Sequence, residues 1–266
     1  MQKFIARNKY KLMAFIIILY AAVDVVLHKG LTRVLFPKTF TAYKMHTALP
    51  LNKSTLNNQG KAWEIAVNTK ELLMNKVNKN SNGFECDIYF DAAKNIFDVH
   101  HDEDNSTGWH LDSLLALYKQ LSLNAGIWLD FKNLDDSNAA AAVTTLTHLR
   151  DQYGLNNKLL VESRNGHLLT AFSDSGFFTS FYTPIFNPYQ INDDESKKWV
   201  DSISAVITKA RVSALSGYYF QYPFLNHYFP NYPVLTWAAN DRFSIVNGLF
   251  KRKAARNKNV FIVLYP

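Results

Sequence analysis

Apolar and polar positions follow two recurring patterns along the chain. Short, nearly continuous apolar runs predict strands buried on both faces, and longer runs with apolar residues every three or four positions predict amphipathic helices. The predicted strands are TAYKMH (41–46), FECDIYF (84–90), GIWLDF (126–131), KLLVES (158–163), FFTSFYT (177–183), LSGYY (215–219), VLTWA (234–238) and VFIVLY (260–265). The predicted helices between them include residues 69–79, 111–123, 137–153 and 194–211.

This alternation of strands and helices predicts an α/β fold. Eight strands separated by helices within residues 40–266 match the count of a (β/α)8, or TIM, barrel. An open, doubly wound sheet is the alternative, but no glycine-rich phosphate loop or dinucleotide-binding motif follows any predicted strand. No Pro/Gly/Ser linker interrupts residues 40–266, so we expect them to form one domain.

The first 39 residues have a different pattern and form a separate predicted segment. The basic stretch MQKFIARNKYK is followed by the apolar run LMAFIIILYAAVDVVL (12–27), the order typical of signal peptides and signal anchors. No A-x-A-like cleavage site follows, so we expect a hydrophobic helix retained as a membrane anchor, with residues 40–266 on the periplasmic or extracytoplasmic side. The run is short for a membrane span and contains Asp24, and a helix packed on the domain is the alternative.

Composition and charge narrow the class of protein only slightly. Of 266 residues, 48% are hydrophobic and 19% are charged, which is enough apolar material for a sizeable core. The net charge is +7, but most of it lies in the first 11 residues, and basic residues are not gathered into a patch with interleaved aromatics. We therefore expect no nucleic-acid partner. The single cysteine, Cys86, excludes an internal disulfide and a multi-cysteine zinc site.

Acidic side chains lie near the carboxyl ends of predicted strands, where TIM barrels build their active sites. Glu85 and Asp87 are two positions apart and face the same side of their strand, and Asp130 lies at the end of the next strand. Carboxylates held together repel one another unless a cation lies between them, and carboxylate oxygens are the ligands that Mg²⁺ and Ca²⁺ prefer. A divalent metal site is therefore predicted; an ordinary ion-pair network is the alternative.

Histidines are predicted to lie beside these carboxylates. A turn at residues 91–95 would return His100 or His101 to them, and His46, at the end of the first predicted strand, would lie across the mouth of the barrel. Two imidazoles suit cleavage of a phosphodiester, because one can take a proton from the attacking oxygen while the other protonates the leaving alkoxide. The ammonium group of Lys132 would neutralise charge on the phosphoryl oxygens.

The motifs ECD, VHHD, WLDFK, VES and LTWAAND occur in an order that resembles the glycerophosphodiester phosphodiesterase family and the wider phospholipase-C-like phosphodiesterase barrels. The likeness extends from about residue 41 to the C-terminus. It implies a TIM barrel, a divalent metal, and hydrolysis or cyclisation of a phosphodiester that belongs to a small molecule or a lipid headgroup.

The resemblance also implies a role for individual positions. The metal-binding E-x-D of the family matches Glu85 and Asp87, and its E-x-K matches Asp130 and Lys132, with a shorter carboxylate at residue 130. The opening histidine of the family matches His46, and its His-Asp matches His101 and Asp102, although counting without a gap would select His100. The late W-x-x-N-D motif matches Trp237, Asn240 and Asp241.

One departure from the family bears on substrate binding. Thr47 and Ala48 follow His46 where the family has Arg-Gly, so the guanidinium that would hold the phosphate is missing, and we expect Arg164 to replace it, with Trp237 beside it in the substrate site. A catalytically inactive barrel that binds an anionic lipid or phosphate ligand is the alternative function. A third interpretation makes the His100, His101 and Asp102 segment a transition-metal site.

Overall fold

The computed structural model describes residues 2–36, 39–41, 54–57, 59–102, 106–238, 241 and 243–266, with side chains from residue 8 onward. The strands are β1 (Ala62–Glu64), β2 (Gly83–Asp91), β3 (Ile96–Val99), β4 (Gly126–Phe131), β5 (Leu159–Ser163), β6 (Phe178–Tyr182), β7 (Ala214–Ser216), β8 (Val234–Trp237) and β9 (Val260–Tyr265). The helices are α1 (Gln2–Leu27), α2 (Lys29–Leu35), α3 (Lys70–Lys76), α4 (Leu111–Gln120), α5 (Ala139–Tyr153), α6 (Leu169–Asp174), α7 (Asp193–Ala210), α8 (Tyr222–Tyr228) and α9 (Ile245–Arg256), with a short 3-10 helix at Gly166–Leu168.

Eight parallel strands close into a barrel in the order β1-β2-β4-β5-β6-β7-β8-β9. Closure depends on β1, which pairs with β9 through Trp63 and Leu264 and with β2 through Glu64 and Phe84. The strand β3 lies outside this ring as the antiparallel hairpin partner of β2. The predicted (β/α)8 barrel preceded by an N-terminal hydrophobic helix is confirmed.

The first strand of the barrel is not the predicted one. It is the three-residue segment Ala62–Glu64, which is too short to show an alternating pattern. Of the predicted strand 41–46, Thr41 is not in a strand and the rest lies outside the described residues. The barrel strand that the structure describes here ends at Glu64, and the prediction for His46 lies outside the described residues. The other seven predicted strands are observed, although β7 stops at Ser216.

The period of two along each strand separates the inside of the barrel from its outside. On β4, Trp128 and Asp130 face inward, whereas Ile127, Leu129 and Phe131 pack outward against the helices. The inward apolar side chains form a core of their own, which consists of Leu56, Trp63, Trp128, Leu160, Phe178, Ala214, Leu235, Ile262 and Leu264. Polar inward positions follow toward the carboxyl ends of the strands.

Trp63 fills the amino-terminal end of the barrel. A Cβ atom at Gly83 would lie 2.1 Å from its ring, and one at Gly126 would lie 2.4 Å from it. Strands β2 and β4 begin with glycine because the indole occupies the space that a side chain would need. The barrel is closed at this end, so a cavity can open only toward the carboxyl ends of the strands.

The N-terminal helix α1 contains a segment, Asn8–Leu27, that is long and apolar enough to cross a membrane. Only about 6% of this apolar segment is buried against the rest of the protein. The next helix, α2, belongs to the folded domain. Its side chains Leu31 and Val34 are fully buried, and Lys253 Nζ on α9 donates to the carbonyl oxygen of Leu35 at 3.2 Å. The chain therefore passes from α1 directly onto the outer surface of the barrel.

Candidate active site

The parallel register brings polar residues of neighbouring strands to one level of the barrel. Asp87 on β2 pairs in register with Asp130 on β4, Asp130 with Glu162 on β5, and Glu162 with Ser180 on β6. Glu85 lies one inward position deeper on β2. Groups far apart in the chain thereby become neighbours near the carboxyl ends of the strands.

A cavity of about 260 Å³ opens at this end of the barrel. Its charged or ionisable lining consists of Glu85, Asp87, His101, Asp130, Lys132, Glu162 and Arg164, and its aromatic lining of Trp128, Tyr182 and Trp237. Seven of the nine predicted site residues thus lie together. Of the other two, His100 does not line the cavity and His46 lies outside the described residues.

Donors from the segment after β1 hold the two carboxylates of β2. The amide nitrogen of Ala66 donates to Glu85 Oε2 at 2.7 Å, and Asn68 Nδ2 donates to Asp87 Oδ2 at 2.5 Å. Asn68 Oδ1 accepts in turn from the Asp87 amide at 2.9 Å, so one side chain clamps both the backbone and the carboxylate. These bonds hold one oxygen of each carboxylate, and the second oxygen of each takes no part in them.

Lys132 joins two of the acidic groups. Its Nζ lies 2.6 Å from Asp87 Oδ1 and also donates to Asp130 Oδ2. The ion-pair interpretation of the E-x-D motif is therefore partly correct. Among the described residues no basic side chain forms an ion pair with Glu85, so the ammonium group of Lys132 pairs with two of three neighbouring carboxylates.

The pKa values show the resulting excess of negative charge. Burial, followed by repulsion from Asp87 and Asp130, raises the pKa of Glu85 well above its ordinary value. Burial also raises the pKa of Asp130 against the opposing effect of Lys132. The pKa of Glu162 is raised by burial and then by Asp130. The interior of the barrel thus favours a bound proton or cation.

The set Glu85, Asp87 and Asp130 fits a hard divalent cation. One carboxylate oxygen from each residue lies within 4.8 Å of the others. All donors are oxygen atoms, which Mg²⁺ and Ca²⁺ require, and a cation would remove the repulsion that raises the pKa of Glu85. Lys132 forms ion pairs with two of these carboxylates, so Asp87 and Asp130 would contact both the ammonium group and the cation.

The adjacent histidines have different surroundings. His100 is buried, its ring stacks on that of Tyr89 with centroids 4.3 Å apart, and its Nδ1 lies 2.7 Å from the carbonyl oxygen of Asp102. His101 is exposed and lines the cavity, with its Nδ1 2.8 Å from Asp102 Oδ1. A carboxylate on Nδ1 orients the ring and assigns proton exchange to Nε2. The transition-metal interpretation finds no support, because the His100 ring is held by Tyr89 and by backbone.

Arg164 and two aromatic residues line another side of the cavity. The Arg164 guanidinium lies over the Tyr182 ring at 4.7 Å from its centroid. The Tyr182 ring meets Trp237 edge to face, with centroids 5.2 Å apart. Arg164 Nη2 also donates to Tyr182 Oη at 3.5 Å, so the ring and hydroxyl of Tyr182 together position the guanidinium, whose other N–H groups suit the binding of an anion.

Two polar residues of the site are additional to the predicted set. Glu162 is 2% exposed, and its Oε2 has no hydrogen-bond partner among the described residues. Its place at the end of the VES strand matches that of Asp130 on β4, and the strand-end rule points to it, although the sequence assigned it no role. Asn68 gave no such signal, because it follows the strand that the apolar pattern did not reveal.

The late motif does not bring Asp241 into the cavity. Its Oδ2 lies 3.8 Å from His28 Nε2, and His28 Nδ1 lies 3.1 Å from Asp24 Oδ1 on the N-terminal helix. Asn240 lies outside the described residues. Within this motif, Trp237 lines the cavity and Asp241 belongs to the contact with α1.

Comparisons with known proteins agree with the fold. No family model matches the chain, and no curated protein matches it. Solved structures that match include a glycerophosphodiester phosphodiesterase from Parabacteroides distasonis, with a TM-score of 0.53 and 14% identity over 79% of this chain and 93% of that chain. Another is an Oleispira antarctica phosphodiesterase in complex with the product sn-glycerol-3-phosphate, with a TM-score of 0.51 and 11% identity over 77% of this chain and 92% of that chain. The protein therefore has the TIM-barrel fold that glycerophosphodiester phosphodiesterases have.

Proposed function

We propose that this protein is a phosphoric diester hydrolase that depends on a divalent cation, Mg²⁺ or Ca²⁺, and acts on a glycerophosphodiester or a phospholipid headgroup. The observation that carries the proposal is the meeting of the acidic set with Lys132, His101 and Arg164 in one cavity. That cavity lies at the carboxyl ends of the barrel strands, where enzymes with this fold carry out their chemistry.

Each group has a part in this proposal that follows from its position. Glu85, Asp87 and Asp130 would hold the cation, which when bound supplies positive charge for the phosphoryl oxygens. Lys132 neutralises charge that develops on the same oxygens. Arg164 binds the phosphate through paired N–H donors, in place of the arginine that is absent after His46.

Proton transfer is assigned to His101. Asp102 holds its Nδ1, so Nε2 exchanges the proton with the attacking or leaving oxygen. A second imidazole remains a prediction for His46. Trp237 and Tyr182 form an apolar wall against which the alcohol part of the substrate would pack.

The location of the domain is also a proposal. The apolar segment of α1 and the basic residues before it support a retained anchor within residues 1–39, with the catalytic domain, residues 40–266 and the packed helix α2, on the periplasmic or extracytoplasmic side.

An assay of the full chain in detergent tests the proposal. We expect hydrolysis of bis(4-nitrophenyl) phosphate and of a panel of glycerophosphodiesters with Mg²⁺ or Ca²⁺, and its loss with EDTA. His101→Asn should lower turnover about hundredfold, the usual size of a general acid–base contribution. His148→Asn, the same change at an exposed position on α5, should leave turnover unchanged. Turnover that is independent of both the cation and His101 would contradict the proposal.

A second candidate function, a barrel that binds an anionic lipid or phosphate ligand without turnover, has one observation in its favour. Among the described histidines, His101 alone lines the cavity. The residues that follow strand β1 and line the cavity, Ile65 and Ala66, supply no second imidazole. Melting temperatures that rise with inorganic phosphate or a divalent cation, together with no turnover on the whole panel, would favour this function.

A further inference from the structure

The end of α1 is bonded to the loop that follows β8. Tyr20 Oη donates to the carbonyl oxygen of Phe243 at 2.5 Å, and the amide of Val246 donates to Asp24 Oδ2 at 2.8 Å. Tyr20 and Asp24 are four residues apart and therefore lie on one face of the helix. Because the loop starts next to Trp237, which lines the cavity, α1 is attached at the rim of the cavity.

These bonds make α1 part of the fold. Val246 lies in the first turn of α9, where backbone N–H groups have no partner inside the helix, and Asp24 supplies one. Asp24 is 4% exposed, so its carboxylate is satisfied within the protein although it lies in an apolar segment. Cleavage after residue 27 would remove this cap from α9, and the contact therefore argues for retention of α1.

The geometry of α1 sets the level of the rim relative to a membrane. The 20 residues Asn8–Leu27 form a helix about 30 Å long, which matches the hydrocarbon thickness of a bilayer. Tyr20 precedes Leu27 by seven residues, about 10 Å along the helix axis. A helix that spans the bilayer over this whole segment would hold Tyr20, and with it Phe243, about 10 Å on the acyl-chain side of the headgroup boundary.

Exposed apolar side chains occur on the rim at this level. Phe243 is 85% exposed and Ile245 is 44% exposed on the loop and helix start after β8. Ile185, on the loop after β6, is 55% exposed. The two loops start close together, because Tyr182 at the end of β6 contacts Trp237 at the end of β8. Large apolar side chains exposed beside an apolar helix suit insertion into a membrane surface.

We propose that α1 holds the rim of the cavity in the surface of a bilayer, and that the cavity takes the phosphodiester of a membrane phospholipid headgroup rather than a free glycerophosphodiester. The substrate part rests on the proposed function. The orientation part rests on the contacts of α1 with the loop after β8 and on the exposed apolar residues of the rim.

Site-specific labelling tests the orientation. The full chain carries either Phe243→Cys or Asn80→Cys, is labelled with an environment-sensitive fluorophore, and is reconstituted in vesicles of phosphatidylcholine and phosphatidylglycerol. Asn80 is exposed on the loop before β2, at the opposite end of the barrel. The wild type, whose Cys86 is buried, is the control for labelling at that cysteine. We expect lipids with a nitroxide high on the acyl chain to quench the fluorophore at residue 243 several-fold more than that at residue 80. Equal quenching at the two positions would overturn the orientation.

A comparison of two substrates tests the lipid part. In the same vesicles, Phe243→Asp should lower hydrolysis of the vesicle phospholipid headgroups about tenfold and leave that of dissolved bis(4-nitrophenyl) phosphate unchanged, because a carboxylate is costly to place among acyl chains. Asn80→Asp, the same charge at the opposite end, should change neither rate. A wild type that cleaves dissolved bis(4-nitrophenyl) phosphate but not the vesicle phospholipids would overturn the lipid substrate, and an unchanged ratio of the two rates in Phe243→Asp would overturn the role of the rim. A wild type that cleaves neither substrate would refute the proposed function, whereas the quenching result judges the orientation independently.

Discussion

Within the described part of the chain, two groups of three acidic or histidine side chains have ligand atoms within 4.8 Å of one another. The pocket cluster consists of Glu85, Asp87 and Asp130, and the helix cluster consists of Asp24, His28 and Asp241. They have the same number of members, but the helix cluster has a histidine where the pocket cluster has a third carboxylate. Their hydrogen bonds, however, lead to different parts of the molecule.

In the helix cluster, the carboxylate of Asp24 accepts a hydrogen bond that holds two helices together. Asp24 accepts from the Val246 amide at the start of α9 and lies 3.1 Å from His28 Nδ1, so it joins α1 to the barrel. In the pocket cluster, Lys132 serves two carboxylates, and Glu85 has no ion-pair partner among the described residues. A cavity opens over this unbalanced charge. The comparison teaches that the partners of each oxygen, rather than the residue types, distinguish a structural contact from a candidate cation site.

The largest effect is expected from Asp130→Asn. The change keeps the size of the side chain and removes one negative charge from the pocket cluster, so we expect turnover to fall about hundredfold or more. The rise in melting temperature on addition of Mg²⁺ or Ca²⁺ should also disappear. Asp241→Asn makes the same change in the helix cluster and should keep both properties. If Asp241→Asn instead abolished the cation response, the assignment of the two clusters would be reversed.

The pH dependence of stability gives a second contrast. The pKa of Glu85 is raised above its ordinary value of 4.5, so above that pH the folded state binds a proton more tightly than the unfolded state. With divalent cations chelated, the free energy of unfolding should therefore fall as pH rises from 4.5, by up to about 1.4 kcal/mol per pH unit for each such carboxyl group. Urea unfolding at a series of pH values measures this slope. Glu85→Gln should reduce it, and a slope identical to that of the wild type would contradict the raised pKa.

A smaller effect is expected from Asp24→Ala. Loss of the acceptor for the Val246 amide should lower the free energy of unfolding by about 1–2 kcal/mol. Thermal unfolding in detergent measures this loss, and turnover on a dissolved phosphodiester should not change. Asp24→Asn keeps an acceptor oxygen and should lose less. Equal stability of Asp24→Ala and the wild type would show that the bond to α9 contributes nothing.

The sequence predicted which acidic side chains lie together where the alternation within each strand determines the geometry. Glu85, Asp87 and Asp130 lie at inward positions of apolar strands, and the period of two together with the parallel register brings them to one cavity. The choice between His100 and His101 depends instead on the hairpin formed by β2 and β3. That hairpin places His100 against Tyr89 and leaves His101 beside the cavity.

The failure at the first strand has a local cause. Strand β1 is three residues long and is held by pairing on both sides and by the packing of Trp63 into the barrel. Neither its length nor its alternation distinguishes it from a loop. The partners that stabilise it, β2 and β9, lie far away in the chain, and Asn68 was missed together with it.

The sequence by itself determined the barrel, the apolar N-terminal helix and the acidic residues that face inward near the strand ends, because these follow from periods of two and three to four residues within single elements. Only the tertiary structure decided that Asp241 joins the helix cluster and that α1 meets the barrel at the rim of the cavity. The bond between Asp24 and Val246 connects residues 222 positions apart. Such a contact depends on the packing of the whole chain, which no local pattern encodes.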